Sequence, residues 1–146
     1  MLHLQTMSTE AQIVQCYPLM KMLRATLEGP QDFLAKVRQQ AAEGYRLMAL
    51  LDEHDVVALA GYRCMQNLVH GRFVYVDDLV TDSACRGQQL GSRLFNGLVA
   101  EARLHACDTL ILDSGLTNAL AHRFYYRQGM LAKALHFSLS LKEVSG

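Results

Sequence analysis

The sequence predicts an α/β (α+β) fold in which helices cover the faces of a mixed sheet. Three observations carry that expectation. Runs of strand length, rich in Val, Leu, Tyr and Phe, are interleaved with segments whose apolar residues recur at helical spacing. The elements read in order as β-α-α-β-β-β-α-β-α-β, which suits helices layered on a sheet. The chain has 146 residues, 51% of them apolar, enough to bury one core without metals or disulfides. No linker, repeat or low-complexity stretch divides it, so residues 1–146 are expected to form a single domain.

Met1 to Gln5 is at most a short edge strand. Thr9 with Gln12 three residues on has capping-box spacing. A helix is expected from there toward Leu27, interrupted or kinked by Pro18. Gly29-Pro30 breaks it, and a second helix takes Asp32 to Glu43, with Phe33, Leu34, Val37 and Ala41 near one face. Three strands follow, Tyr45 to Asp52, Val56 to Gln66 and Arg72 to Thr81, joined by turns at Glu53-His54-Asp55 and His70-Gly71. A polar loop from Cys85 to Gly91 leads into a helix reaching about Ala106, in which Leu94, Phe95, Leu98, Val99 and Ala102 keep helical spacing. Thr109 to Asp113 is a short strand. Asn118 to Gln128 is a helix ended by Gly129, and Leu135 to Leu141 closes the chain as a strand.

Composition removes several function classes. Lys plus Arg and Asp plus Glu each number 14, so no basic excess points to nucleic acid and no charged tail is present. Cys16, Cys64, Cys85 and Cys107 form no C-x-x-C pair. They read as reduced thiols of a cytoplasmic protein. The six histidines form no H-x-x-x-H or H-E-x-x-H set, so no metal site is expected. The N-terminal stretch lacks the basic-then-apolar order of a signal peptide. No apolar run reaches the ~18 residues of a membrane span.

The segment Val74 to Leu94 is rich in information. A strand ends at Val80-Thr81, and a loop with two glycines opens into a helix near Gly91. The first turn of a helix leaves N–H groups unpaired, and the helix dipole adds partial positive charge there. Such a turn binds phosphate. Gly87 and Gly91 permit close backbone approach, and Arg86 can add a charge-assisted contact. A Walker A loop would need Lys after the last glycine, but Ser92 and Arg93 follow Gly91. The G-x-G-x-x-G spacing of a Rossmann turn is absent too.

The loop resembles motif A of the GNAT (Gcn5-related N-acetyltransferase) superfamily, [RQ]-x-x-G-x-[GA]. Arg86 and Gly91 fill its first and last positions, Gly87 fits the R-G variant, and Gln89 stands at the middle glycine. Asn118, Ala121, Phe124, Tyr125, Arg127, Gly129 and Met130 fall in register with motif B, N-x-x-A-x-x-[FL]-Y-x-[KR]-x-G-[FM]. The resemblance covers Arg72 to Gly129 closely and the rest by element order.

The resemblance implies a mixed, mostly antiparallel sheet of six to seven strands with about four helices. It implies acetyl-CoA as acyl donor, with no metal, and transfer to a primary amine of a small molecule or peptide by direct attack in a ternary complex. The cofactor-binding set would be Leu79, Val80, Arg86, Gly87, Gln88, Gln89, Leu90, Gly91, Ser92, Asn118 and Tyr125. A backbone N–H around Leu79 and Val80 would stabilise the oxyanion. Asn118 would cap its helix and bond the pantetheine arm. Tyr125 would act as general acid near the sulfur, and Tyr126 would point about 100° away from it.

Asp77 and Asp78 are the candidates for the base. The resemblance puts Asp77 where several amine-acetylating relatives carry a Glu that acts directly or through water. Asp, one methylene shorter, suits a bridging water, while Asp78 could instead orient the loop. Strand alternation places Asp77 and Asp78 on opposite faces. Plainer roles exist for each residue: a strand-to-helix turn at 86–92, a bare N-cap at Asn118, core packing for Phe124 and Tyr125, and ion pairing for the two aspartates. A homodimer is expected by analogy with the family, and neither nucleic acid nor membrane is expected as a partner. The acceptor would be chosen by Glu10 to Glu43, the turn at Asn67 to Gly71 and the C-terminal strand.

Three rival functions fit parts of the sequence. A catalytically silent acyl-CoA sensor or interaction module would keep the fold and use Gln89 in an altered loop. A different nucleotide-binding fold would use Arg86 to Ser92 as an anion nest. A structural protein would bind no small ligand.

Overall fold

The computed structural model describes residues 1–85 and 89–143. The chain forms two compact units, Met1–Leu112 and Asp113–Gly146.

In the first unit, β1 (Leu2–Thr6), β2 (Arg46–Asp52), β3 (Asp55–Asn67), β4 (Gly71–Thr81) and β5 (Thr109–Leu112) make one sheet in the order β1-β2-β3-β4-β5. Three neighbouring pairs are antiparallel, and β4 with β5 is parallel. Helices α1 (Glu10–Gln15), α2 (Tyr17–Leu23) and α3 (Pro30–Ala41) pack with one face of the sheet. Helix α4 (Leu90–Leu104) packs with the other. Coverage on both faces explains β2, whose residues Leu47 to Leu51 are all buried and therefore read as a continuous apolar run. Leu47, Ala49 and Leu51 join Ile13, Leu19, Phe33 and Val37 in one core. Met48 and Leu50 join Leu94, Leu98, Val74 and Val76 in the other.

Local chemistry sets several element ends. Thr9 and Gln12 form a reciprocal capping box, with Gln12 N donating to Thr9 Oγ1 at 3.2 Å and Thr9 N donating to Gln12 Oε1 at 3.0 Å. Pro18 sits in the first turn of α2, where its missing N–H costs nothing. Of the interruption or kink expected at Pro18, the structure shows an interruption: two short helices meet at Cys16. Pro30 plays the same part in α3, so that helix begins two residues before the expected Asp32.

The second unit holds α5 (Ala119–Arg127). Asn118 caps it, its Oδ1 accepting from Ala121 N at 3.3 Å. At the far end Gly129 N donates to Tyr126 O at 3.0 Å and Met130 N to Tyr125 O at 3.1 Å. That pair is a Schellman motif, and Gly129 has the positive φ of 90° it requires.

Two expectations are corrected. The sheet has five strands among the described residues instead of six to seven, and five α-helices instead of about four. Leu135 to Leu141 is not a strand: residues 128–143 contain no helix or strand. The alternation of Leu135, Phe137, Leu139 and Leu141 is real, yet all four are exposed. Alternation marks a chain suited to a half-buried strand, but a strand exists only where a neighbour supplies its ladder.

Candidate active site

The site is built on β4. Its ladder with β3 runs from Gly71 to Thr81, with Leu79 opposite Ala60 and Val80 opposite Leu59. Its ladder with β5 spans only Phe73↔Thr109 to Val76↔Leu112. Beyond Val76, residues 77–81 carry a strand partner on one side alone among the described residues.

At that point the β3–β4 register shifts. Gly61 pairs with Asp78 and Tyr62 with Val76, so Asp77 is an extra residue, a β-bulge. The bulge overturns the alternation expected for Asp77 and Asp78. Both carboxylates meet groups on the side of the sheet occupied by α1 to α3. Arg63 Nε donates to Asp77 Oδ2 at 3.1 Å, while the same guanidinium reaches Gln40 and Glu43 at 3.0 and 3.4 Å. Tyr45, a member of the α1–α3 core, donates its hydroxyl to Asp78 Oδ2 at 2.6 Å. Arg24, just past α2, donates Nε to Asp78 Oδ1 at 2.8 Å and Nη2 to the Asp77 carbonyl oxygen at 2.9 Å.

Burial pushes the Asp77 carboxyl above the usual carboxylate range, against the pull of Arg63, and the neighbouring charge of Asp78 adds to the rise. Burial, then the charge of Asp78, raises the Tyr45 hydroxyl so far that it stays protonated and donates.

β4 then leads through a 3₁₀ turn at Ser83–Cys85 to α4. Of the predicted phosphate loop, Arg86, Gly87 and Gln88 lie outside the described residues. Gln89 is described: it precedes α4 with φ 55° and ψ 40°, left-handed, and its side chain makes no capping bond. That conformation costs an L-residue with a Cβ but not glycine. Gln89 therefore holds by context a shape that glycine would adopt freely. Leu90, Gly91 and Ser92 form the first turn of α4, with Leu90 buried.

Two further predicted residues, Asn118 and Tyr125, lie in the second unit and are described within it. Tyr125 is half-buried, and its ring meets Phe124 edge-on at 5.7 Å. Burial raises its hydroxyl pKa, so the proton is held at neutral pH. Tyr126, by contrast, is exposed. His122 Nε2 lies 2.8 Å from the Gly115 carbonyl oxygen, a local backbone contact. Ser114 Oγ is buried with no hydrogen-bond partner among the described residues. Such an atom is an unmet donor and acceptor, able to take a polar group of a ligand.

Sequence reasoning did not find Arg24, Tyr45, Gly61 or Arg63. No motif signals them, because their meaning lies in contacts between separate elements. Among the described residues no group of three or more His, Cys, Asp or Glu is placed to hold a metal ion. No helix there is long and apolar enough to cross a membrane.

Comparison with known proteins adds the following. The model of the acetyltransferase (GNAT) family matches residues 15–130. An uncharacterized N-acetyltransferase, YhdJ, of Bacillus subtilis is 29% identical over 126 residues, 86% of this chain and 88% of that protein. The aminoalkylphosphonate N-acetyltransferase of Salmonella typhimurium is 30% identical over 98 residues, 66% of this chain and 62% of that protein. Among solved structures, AAC(6')-Iy in complex with the bisubstrate analog CoA-S-monomethyl-acetylneamine superposes with a TM-score of 0.81 at 12% identity, covering 96% of this chain and 98% of that one.

Proposed function

Since the chain belongs to the acetyltransferase (GNAT) family, we propose that it transfers an acetyl group from acetyl-CoA to a primary amine of a small molecule or peptide, by direct attack in a ternary complex. The observation that carries this reading is β4 itself, which bulges at Asp77, outruns β5 and leads into the N-terminus of α4. The family match runs through both units and supports a single working domain.

The residues suit acetyl-CoA. The first turn of α4, Gly91 included, offers N–H groups and a positive dipole end to a pyrophosphate, and Arg86, Gly87 and Gln88 are the loop residues that would complete that set. Ser114 Oγ, buried and unpartnered among the described residues, supports a polar ligand group close by in the second unit. When bound, acetyl-CoA supplies an acyl group activated as a thioester.

Each residue then has a task. A backbone N–H at Leu79 or Val80 donates to the carbonyl oxygen as negative charge develops there. Asp77, whose raised pKa leaves it a competent proton acceptor, takes the amine proton through a water. Asn118 holds the pantetheine arm besides capping α5. Tyr125 keeps its proton at neutral pH and gives it to the departing thiolate.

The test is turnover of acetyl-CoA against a panel of amines, with release of the free thiol as readout. The aminoalkylphosphonate relative makes small anionic amines the first group to try. One observation favours a second reading. Gln89, left-handed where glycine is usual, fits an acyl-CoA-binding module that does not turn over. Binding of acetyl-CoA with no thiol released by any amine would select it.

A further inference from the structure

A β-bulge breaks its ladder locally and leaves one residue unpaired. Asp77 is that residue here, and its carboxylate together with the following backbone carries the chemistry proposed above. Something must hold the bulge still. The holding groups come from two separate stretches of chain, the residue after α2 and the residue before β2, and converge on Asp78. Tyr45, 6% exposed, grips Oδ2. Arg24 grips Oδ1 and spans from there to the carbonyl oxygen of Asp77, an acceptor that the interrupted ladder leaves to be satisfied. Gly61, opposite Asp78 in the register, makes the space: a Cβ there would fall 1.9 Å from Tyr45 Oη and 2.6 Å from Asp78 Oδ2. The Arg63 guanidinium sits 5.5 Å from the centre of the Tyr45 ring while pairing with Asp77, so the two aspartates share one network.

We propose that Tyr45 and Arg24 are positioning residues for acetyl transfer: by clamping the two oxygens of Asp78 they fix the facing of Asp77 and the line of the backbone at Leu79 and Val80. This rests on the reading of the chain as an acetyltransferase. The clamp also ties the segment after α2 to the bulge, because Arg24 stands between α2 and α3. Neither residue needs to touch a reacting atom. Their effect passes through Asp78, and small misplacements of reacting groups cost rate steeply.

The test uses Arg24→Gln, Arg24→Lys, Tyr45→Phe and the double variant Arg24→Gln/Tyr45→Phe. Arg24 has a half-exposed side chain, so its variants keep the fold even if a Tyr45 variant does not. We expect kcat to fall about tenfold in Arg24→Gln and Tyr45→Phe, with acetyl-CoA affinity within about twofold of the parent. Arg24→Lys stays impaired, since an ammonium keeps the charge but not the planar fork that spans Asp78 and Asp77. The double variant loses no more than the worse single one, because both act through one carboxylate. Full activity in Arg24→Gln, or losses that multiply in the double variant, would overturn the clamp. A parent protein that neither binds nor turns over acetyl-CoA would sink the acetyltransferase reading instead, and the two failures are read from different proteins.

Discussion

Tyr45 and Asp78 lie 33 residues apart and meet in a 2.6 Å hydrogen bond seated over Gly61. The bond exists because position 61 has no side chain. Gly61→Ala places a methyl group inside the hydroxyl of a buried ring, where little can yield. We expect a loss of about 2–4 kcal/mol in stability from overpacking and the broken bond, measured by urea unfolding. Gly115→Ala is the control, with nothing within 4 Å of its added Cβ. It should change stability by less than about 0.5 kcal/mol.

Asp77 gives a pH prediction. Its folded pKa is raised above the ordinary 3.8, chiefly by burial, with Arg63, Asp78, Arg24 and, through Arg63, Glu43 as its charged surroundings. The folded state therefore holds the proton more tightly than the unfolded state. This carboxyl favours folding at low pH, and that contribution is lost as pH rises through the folded pKa. Activity should run the other way, rising as the proton leaves, with its acid limb above pH 3.8. Asp77→Asn should remove that limb and lower kcat about 100-fold. An unchanged pH–rate profile would take Asp77 out of the proton path.

Gln89 should be improvable. Its left-handed backbone costs roughly 1–2 kcal/mol for a residue with a Cβ. Glycine there recovers that but loses about 0.5–1 kcal/mol of unfolded-chain entropy. Gln89→Gly should then leave stability within about 1 kcal/mol of the parent. It should tighten acetyl-CoA binding severalfold, as read by calorimetric titration. Weaker binding would mean that the Gln89 side chain itself contacts the cofactor.

The cap that Asn118 forms and the pantetheine contact proposed for it separate experimentally. Asn118→Ala removes the bond to Ala121 and should cost about 1 kcal/mol, as other N-caps do. Asn118→Ser restores a cap with a shorter side chain. If Asn118 also holds pantetheine, the serine variant regains stability but not acetyl-CoA affinity. Recovery of both would leave Asn118 as a cap alone.

What could be read in advance follows the range of the interactions. The Thr9–Gln12 box, the Asn118 cap and the Gly129 terminus are local, and their sequence signals appear in the structure as expected. β2 was expected as an apolar strand, and its burial on both faces emerges only with the helices packed on either side. The bulge at Asp77 was not legible. Inserting one residue into a ladder leaves no trace in periodicity, and it brings to one side two carboxylates that alternation put on opposite faces. The clamp was hidden for the same reason, since Arg24 and Asp78 are 54 residues apart. Leu135 to Leu141 failed in the opposite sense: its pattern is that of a strand, and pattern alone does not supply a partner.

The central claim is that this fold takes acetyl-CoA, and thermal unfolding with and without it tests that most directly. ATP and NAD serve as controls, and Tyr125→Phe as the variant that should bind but turn over slowly. Acetyl-CoA at about 100 times its Kd should add about 2.7 kcal/mol. For a domain of this size that is a rise of several degrees in Tm. The expected result is that rise with acetyl-CoA, in both the parent and Tyr125→Phe, and none with ATP or NAD. No rise with acetyl-CoA, or a larger one with ATP or NAD, would contradict it.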